Sequence, residues 1–399
     1  MIPDTENVTG FFEREGIYYV IKDDSEKVEE SHLKEIQNLR IYDPLRGIYH
    51  HRVTGENVFP FNYGPSTGGM VETVDFKIYT YGERILSLDV IPDFKKRVMK
   101  FSGSSFERGL LMMERFNGFH SFSYSTLLAR EIERKLDLVV TGETVKIRLI
   151  LLEIERIISH IFKTARLCDA ASQNIASYWL LALRERMMRA VATETGHRYM
   201  FGVNRIGGIG RKINVTKIVD TAKEVVSEYR RIIDGLTVSR IFIDRIENTC
   251  KIEEKFQRGP VLRAAGISYD YRSFDPYYKE SNFKPVTEDG GDSLSRFLVF
   301  SAEVFSSLQL IEDAVSRKFE DFKGEPYDAL SSSGIETPSG DARIVLDVKN
   351  EKIGKLYVRT PSLLNMEAFA LGIKGNVKTD IPFAFESFGI WLSEMGDIE

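Results

Sequence analysis

The chain has 399 residues, of which 43% are hydrophobic, so it can bury a large core as one domain or as two packed domains. Its net charge of −5 argues against a nucleic-acid-binding protein. No uninterrupted apolar run approaches the roughly 18 residues of a membrane span, and Met1 is not followed by a signal peptide. We therefore expect a soluble chain on the cytoplasmic side of a membrane, which it reaches only through partners.

The N-terminal residues 1–58 are polar and mixed in charge, and we interpret them as a small appendage to a main domain over residues 59–399. The appendage contains the pair His50-His51. It is a poor candidate for a metal site, because adjacent side chains seldom point at one ion. In the main domain the pattern changes to period two from Phe59 to Val90. Its part from Val74 to Val90 predicts a β-hairpin, which a glycine-rich loop, Gly64–Gly69, precedes. No helix start follows this loop, so it makes a weak phosphate cradle.

Helical patterns then dominate, and the central pair spans about residues 144–168 and 175–195. Apolar residues of the first helix recur at three- and four-residue steps and share one face. Gly196 is positioned to cap the second helix. Because both helices carry too many apolar residues for a surface, we expect them to form the centre of a helical core.

A polar stripe borders the apolar face of the first central helix, where Glu153, Arg156 and His160 stand at i, i+3 and i+7. One interpretation is a buried ion pair that fixes the helix register, because buried charges need partners. The other is a proton path or a support for a nearby redox site, because ionisable groups with shifted pKa values gather at functional sites. Periodicity alone leaves both interpretations open.

The rest of the chain adds helices, one hairpin and a docking tail. Residues 250–290, rich in Gly, Pro, Asp and Tyr, predict a long ordered excursion. A second hairpin is predicted around Lys349-Asn350, and the tail Phe383–Glu399 is expected to dock into the core. The remaining helices are predicted at residues 104–135, 215–236 and 292–320. The predicted fold is mainly α with small antiparallel β-hairpins.

Cysteine occurs only twice, at Cys168 and Cys250, and neither has a second cysteine nearby. Iron–sulfur clusters and zinc sites need paired spacings such as C-x-x-C. We therefore expect no metal site and no iron–sulfur cluster held by this chain alone, and we expect both cysteines to be small buried hydrophobic residues.

A series of short motifs runs in order through residues 60–399. It comprises the Gly64-Pro65 loop, Glu114-Arg115, the Glu153–Arg156–His160 helix, Gly196-His197-Arg198, Gly259-Pro260-Val261-Leu262-Arg263, Asp270-Tyr271-Arg272, Asp275-Pro276-Tyr277, Arg359 through Asn365, and Ser387-Phe388. This order resembles the large subunit of group 4 nickel–iron hydrogenases (the formate hydrogenlyase type) and its relative, the quinone-site (D-type) subunit of respiratory complex I. The resemblance implies that fold, and we assign Arg115, with the three residues of the polar stripe, to buried polar support.

The resemblance also locates the metal ligands of the hydrogenases. Their two C-x-x-C pairs fall on Asn117 and His120 and on Trp391 and Glu394, and the arginine of their Pro-Arg-Gly loop falls on Ser339. A nickel–iron centre with bridging sulfurs requires soft thiolates, which these side chains cannot replace. We therefore expect no nickel and no hydrogenase activity. The two segments should nevertheless converge, because the loops they replace jointly held one binuclear centre.

The quinone site of complex I is altered as well. The resemblance places Thr67 at the position of its loop histidine and the region of Gly118 at the position of its tyrosine, with Tyr124 the nearest tyrosine. A quinone stays a candidate ligand for an apolar cleft with one or two donors. The expected cavity is lined by Thr67, Asn117, Tyr124 and Trp391, with His120 and Glu394 as candidate proton donors. The alternatives are that His120 is a hydrogen-bonded core histidine and that Trp391 plugs the void.

The family implies partner chains. They are an iron–sulfur small subunit similar to the B-type subunit of complex I, which holds the cluster, a chain similar to the C-type subunit of complex I, and antiporter-like membrane subunits. In the first hypothesis electrons from NADH or ferredoxin reach the partner's cluster and reduce a quinone or another small acceptor in the emptied metal cavity. In the alternative this chain is a non-catalytic subunit that couples the cluster arm to the membrane arm.

Overall fold

A computed structural model describes the backbone of residues 8–14, 17–22, 28–31, 53–66, 70–92, 94, 97–253, 257–324 and 333–398. The pair His50-His51 and Thr67 lie outside these residues. The structure's description of side chains begins at residue 53.

Helices make up most of the described chain, as the sequence predicted. They are α1 (Phe106–Met113), α2 (Ser121–Lys135), α3 (Gly142–Ala170), α4 (Asn174–Thr195), α5 (Val215–Thr237), α6 (Arg240–Ile246), the short α7 (Pro260–Arg263), α8 (Ser293–Ser316), α9 (Pro361–Gly372) and α10 (Ile381–Phe388).

The strands form small sheets. They are β1 (Val8–Arg14), β2 (Ile17–Lys22), β3 (Val28–Ser31), β4 (Val58–Tyr63), β5 (Asp75–Tyr81), β6 (Arg84–Ile91), β7 (Val98–Met99), β8 (Val139–Val140), β9 (Asn204–Arg205), β10 (Gly208–Ile209), β11 (Phe322–Lys323), β12 (Ser333–Thr337), β13 (Gly340–Lys349), β14 (Lys352–Arg359) and β15 (Asp397–Ile398). Three antiparallel sheets have the orders β1-β2-β3, β4-β5-β6 and β12-β13-β14.

The predicted central helices are confirmed as α3 and α4. Thr141 begins α3 by accepting a hydrogen bond from the backbone N–H of Thr144. Gly196 ends α4 at a φ of +81°, the left-handed conformation that glycine adopts without strain. Both helices contribute to a large apolar core that also takes in α2, α5 and α8.

Helix α8 packs against α3. Among the described residues it is the one helix long and apolar enough to cross a bilayer by length and composition, and most of its apolar stretch is buried inside the protein. It carries Glu303, which is fully buried, ion-paired to Arg263 of α7 and hydrogen-bonded to His160 of α3. A core helix passes the same test of length and composition. Polar residues interrupt its apolar run, and its position agrees with the helix predicted over residues 292–320.

Both predicted hairpins are confirmed as β5–β6 and β13–β14, and each gains a third strand. In the first sheet Ile78 pairs with Leu88, and the added strand β4 has an exposed interior, so it lacks the alternation that predicts a half-buried strand. The second hairpin turns at Asn350 and Glu351, both at positive φ as tight two-residue turns require.

The helix predicted over residues 104–135 is wrong as one element. The structure divides it into α1 and α2, separated by a 3-10 turn, Gly118–His120. Asn117 causes the break, because its side chain accepts a hydrogen bond from Phe119 N and holds its own backbone extended. This break places His120 at the start of α2.

The excursion over residues 250–290 and the C-terminal tail behave as predicted where the structure describes them. The excursion holds α7 and two 3-10 turns, Tyr271–Ser273 and Pro276–Tyr278. The tail is buried, with α10 packed under the β4–β6 sheet in a second apolar cluster. At its end Gly389, at a φ of +61°, turns the chain back toward α2.

Candidate functional site

The two segments that replace the cysteine pairs meet inside the protein. The Asn117 Nδ2 amide donates to Glu394 Oε1 at 2.7 Å, and His120 Nδ1 lies 3.1 Å from the same oxygen. The residues come from the turn before α2 and from a C-terminal 3-10 turn, Leu392–Met395. Their convergence, expected from the resemblance, is confirmed, whereas their chemical roles stay predictions.

A second layer of hydroxyl groups fixes this cluster of Asn117, His120 and Glu394. Ser159 Oγ of α3 lies 3.1 Å from His120 Nε2. Ser362, in the first turn of α9, donates to Glu394 Oε2 at 2.5 Å. Because Nδ1 of His120 faces a carboxylate, the Nδ1–H tautomer, with Nε2 accepting from Ser159, satisfies both ring nitrogens.

The start of α2, which presents His120, is itself held by a carboxylate. Glu155 of α3 accepts hydrogen bonds from the backbone N–H groups of Phe122, at 2.7 Å, and Ser123, at 3.0 Å. These groups have no partner within the helix, and the positive end of the helix dipole favours an anion there. Burial raises the pKa of Glu155 to about 7, against the effect of these hydrogen bonds.

The buried pair of His120 and Glu394 is held with a neutral ring and a charged carboxylate. Burial lowers the pKa of His120 to about 4, although Glu394 acts in the opposite direction. Burial alone would raise the pKa of Glu394, but hydrogen bonds from His120, Ser362 and Asn117 hold it below its ordinary value. Near neutral pH, therefore, neither group changes its charge easily.

Trp391 fills space beside this cluster. Its ring stacks on Phe119 with centroids 4.2 Å apart, and Phe162 of α3 and the guanidinium of Arg184 extend the stack. Its edge-on contact with His120 is 5.9 Å between centroids. This geometry supports the interpretation of Trp391 as a plug. Among the described residues its buried Nε1–H has no hydrogen-bond partner.

The other predicted lining residues have different positions. Tyr124 is fully buried, edge-on to Phe116, and its hydroxyl lies near Glu394 without a regular hydrogen bond. Burial and that carboxylate raise the pKa of Tyr124 well above its ordinary value. Thr67 lies outside the described residues.

The assignment of Arg115 to buried polar support is wrong. Its side chain is 53% exposed, donates to Leu111 O at 2.6 Å and lies over the ring of Phe201. Arg115 follows α1 in the turn that leads to Asn117, and the break between α1 and α2 leaves it at the surface.

The polar stripe on α3 is buried, as the first of its two interpretations requires. Glu153 and Arg156 pair at 3.3 Å, and His160 Nε2 lies 2.7 Å from Glu303 Oε2 of α8. Arg156 also donates to the backbone carbonyls of Glu336 and Thr337 in β12. The stripe therefore joins α3 to α8 and to the β12-β13-β14 sheet. The interpretation as a proton path stays a prediction.

Sequence reasoning missed several members of this buried network. The clearest omission is Lys163, which continues the stripe three residues after His160 and is also buried. The signal was present, since Lys163 stands at i+3 from His160 and i+7 from Arg156, on the side of the helix that carries the stripe. Ser159 and Ser362 gave no such signal, because only the folded chain brings them to the cluster.

A nickel–iron centre does not fit the residues present. The converged positions carry an amide, an imidazole, an indole and a carboxylate, of which none is a thiolate. Both cysteines are buried and unbonded, and burial raises their pKa values to about 12. In the part of the chain that the structure describes, no three His, Cys, Asp or Glu side chains form a group able to hold a metal ion.

Known proteins match this chain in sequence. A family model described as "Respiratory-chain NADH dehydrogenase, 49 Kd subunit" matches residues 173–325. The D-type subunit of NADH-quinone oxidoreductase from Protochlamydia amoebophila is 26% identical over 385 residues, covering 83% of this chain and 94% of that protein. Formate hydrogenlyase subunit 5 of Escherichia coli K12 is 24% identical over 351 residues, covering 83% of this chain and 61% of that protein.

A solved structure has the same fold. It comes from the membrane-bound sulfane sulfur reductase, an archaeal respiratory membrane complex, and aligns with a TM-score of 0.76 at 21% identity, covering 86% of this chain and 100% of that chain. The predicted fold is thereby confirmed. With the sequence matches, the likeness drawn from the motifs is confirmed too: the chain is similar to the D-type (49 Kd) subunit of complex I and to formate hydrogenlyase subunit 5.

Proposed function

We propose that this chain is the soluble-arm subunit of a membrane-bound, complex I-like oxidoreductase and forms the acceptor site beside an iron–sulfur cluster held by a partner. The relatives support membership of such a complex, because they are subunits of NADH-quinone oxidoreductase and formate hydrogenlyase. The partners are an iron–sulfur small subunit similar to the B-type subunit of complex I, a chain similar to its C-type subunit, and antiporter-like membrane subunits. The chain lies on the cytoplasmic side.

The observation that carries the proposal is the polar cluster at the lost ligand positions. A site without chemistry is expected to fill with apolar side chains, because burying polar groups costs free energy unless every partner is in place. Here a charged Glu394 is kept fully buried against His120 and Asn117. Buried ionisable groups arranged in this way are typical of functional sites.

The reaction we propose uses no nickel–iron centre. Electrons come from the partner's cluster, and the acceptor is a quinone or another small molecule that accepts them beside His120. The ring and the carboxylate orient that acceptor by hydrogen bonds. A sulfane sulfur compound is a second acceptor class to test, since the structural neighbour is a sulfane sulfur reductase.

A structural role is the second candidate. The polar groups of the cluster satisfy one another, and Trp391 with Phe119 occupies much of the space beside them. In that case the chain couples the arm that holds the iron–sulfur cluster to the membrane arm. The side chains of Asn117, His120 and Glu394 then only stabilise the fold.

The test uses the purified complex carrying His120→Ala or Glu394→Gln, with acceptor reduction and thermal unfolding measured separately. We expect reduction to fall on the order of a hundredfold. His197→Ala is the matched control, because this imidazole stacks on Phe201 and accepts from the backbone N–H of Tyr199, with no hydrogen bond to Asn117, His120 or Glu394 among the described residues. Wild-type turnover in complexes that merely melt earlier would establish the structural role. Elemental analysis of the complex should show no nickel, and stoichiometric nickel would contradict the proposed reaction.

A further inference from the structure

Lys163 is a buried lysine of α3 beside the cluster of Asn117, His120 and Glu394. Its side chain is 3% exposed, and its Nζ donates to Pro338 O at 2.7 Å and to Ser339 Oγ at 3.1 Å. The ammonium also lies 5.1 Å from the centre of the Phe300 ring. None of the described carboxylates comes within 4.0 Å of Nζ. A buried ammonium with only neutral contacts is costly and uncommon in a core that serves stability alone.

The space for this ammonium depends on a glycine. A Cβ built on Gly389 would lie 2.7 Å from Lys163 Cε and 2.9 Å from Nζ. The carbonyl of Gly389 accepts from the same Ser339 hydroxyl, at 2.8 Å. The Pro338–Ser339 loop and the end of α10 therefore enclose the ammonium together. Gly389 stands two residues before Trp391, so this enclosure adjoins the C-terminal segment of the site.

Charged and titratable groups face Lys163 from several elements of the fold. The charged ones are Glu303 of α8, Glu394 of the C-terminal turn, Arg263 of α7 and Arg156 of α3. Two titratable rings, His160 of α3 and His120 at the start of α2, face it as well. Burial lowers the pKa of Lys163 to about 7, the two glutamates oppose this, and the two arginines add to it. Both histidines are neutral near pH 7, since burial depresses their pKa values as well.

We propose that Lys163 is the positioning cation of the acceptor site. Its ammonium, which interacts electrostatically with both Glu394 and Glu303, balances the negative charge of Glu394 and of an acceptor that becomes anionic on reduction. Loss of its proton leaves that charge unbalanced and lowers activity. This inference rests on the function proposed above and adds to it the acceptor class, one that gains negative charge as electrons arrive.

The test has to separate the titration of Lys163 from that of the other buried ionisable groups. His120 and Glu394 keep fixed charges at neutral pH, for the reasons given above. The pKa values of Glu155 and Glu336 are raised to about 7, mainly by burial, so a pH profile of the wild-type complex alone cannot identify the group responsible. The comparison between variants has to do so.

The experiment measures acceptor reduction by the intact complex between pH 5.5 and 8.5. This range spans roughly three pH units centred on the pKa of Lys163. Wild-type activity should fall as pH rises through about 7. Lys163→Met should reduce the rate at low pH on the order of tenfold and abolish this fall. Lys163→Arg keeps the positive charge at every pH. Its activity should therefore be retained and should not decrease as pH rises. Ser339→Ala keeps the lysine but removes a hydrogen bond to the ammonium, so activity should begin to decrease at a lower pH than in the wild type.

Lys146→Met is the matched control, a lysine on the same helix that donates to Val315 O, and it should leave rate and profile unchanged. If Lys163→Met keeps the wild-type profile while His120→Ala and Glu394→Gln lose activity, the inference is overturned and the proposed function stands. If none of the three loses activity, both fail. Should Lys163→Met not assemble, unshifted profiles in Lys163→Arg and Ser339→Ala overturn the inference.

Discussion

The side-chain amide of Asn117 donates a 2.7 Å hydrogen bond to the carboxylate of Glu394, 277 residues away along the chain. The bond joins the turn before α2 to the last turn of the described chain. Ser362 and Thr360 tie the same C-terminal turn to the start of α9. One carboxylate thus gathers segments that approach one another only when the whole domain is folded.

Glu394→Gln should destabilise the chain by about 3 kcal/mol, because hydrogen bonds to a buried charged group are worth about 1.5–3 kcal/mol and the amide cannot accept all of them. Thermal unfolding of the complex is the measurement. Glu185→Gln, which removes a partly exposed carboxylate paired with Arg198, is the control and should cost less than about 1 kcal/mol. Equal losses in the two variants would contradict the importance of the buried cluster.

Much of the fold could be predicted from periodicity. The central helices and both hairpins have patterns dictated by which face is buried, so their positions were correct. The break before His120 was missed because it depends on one local bond, from Phe119 N to the Asn117 side chain, that competes with the helix. Strand β4 was missed because its interior residues are exposed.

The site was only partly predictable. Motif order placed Asn117, His120, Trp391 and Glu394, but it also placed Arg115 in the interior, where the folded chain does not have it. Burial of an ionisable group depends on partners from distant segments, so the linear order of residues cannot supply it. For the same reason the role of Lys163 required the positions of Ser339 and Gly389.

The stability of the protein should fall between pH 6.5 and pH 4, partly through His120. Its pKa is lowered from 6.5 to about 4 in the folded chain, so in this range the unfolded state binds more protons and acid favours unfolding. His120→Gln removes this contribution and should reduce the loss by about 3 kcal/mol. Unfolding midpoints across this range give the measurement.

His197→Gln serves as the control for that series, because its ring is only partly buried and should change the slope much less. His160 has a pKa lowered to about 3 and contributes with the same sign, so only the difference between variants is assigned to His120. A slope unchanged by His120→Gln would contradict the neutral buried imidazole.

Glu303→Gln should cost on the order of 3 kcal/mol, because it removes the charge from a buried carboxylate that pairs with Arg263 at 2.7 Å and His160 at 2.7 Å. Glu312→Gln on the same helix breaks an exposed pair with Lys223 and should change stability by less than about 1 kcal/mol. Denaturant or thermal unfolding distinguishes them. Comparable effects would show that the α3–α8 network contributes no more than a surface pair.

Lys163→Met should change how stability depends on pH above neutrality. The pKa of this lysine is about 7 in the folded chain and 10.5 when unperturbed, so between these values only the unfolded state holds the proton. Stability of the wild type therefore rises with pH across this window, whereas below pH 7 the full cost of the buried charge is present. The methionine variant has no buried charge and no such rise. Its free energy of unfolding should therefore exceed that of the wild type most at pH 6, and the difference should shrink by a few kcal/mol toward pH 10. Thermal unfolding of the complex at several pH values, with Lys146→Met as the matched lysine substitution on the same helix, measures this difference. Parallel curves for Lys163→Met and wild type would mean that the ammonium keeps an ordinary pKa, and the positioning role would lose its titratable basis.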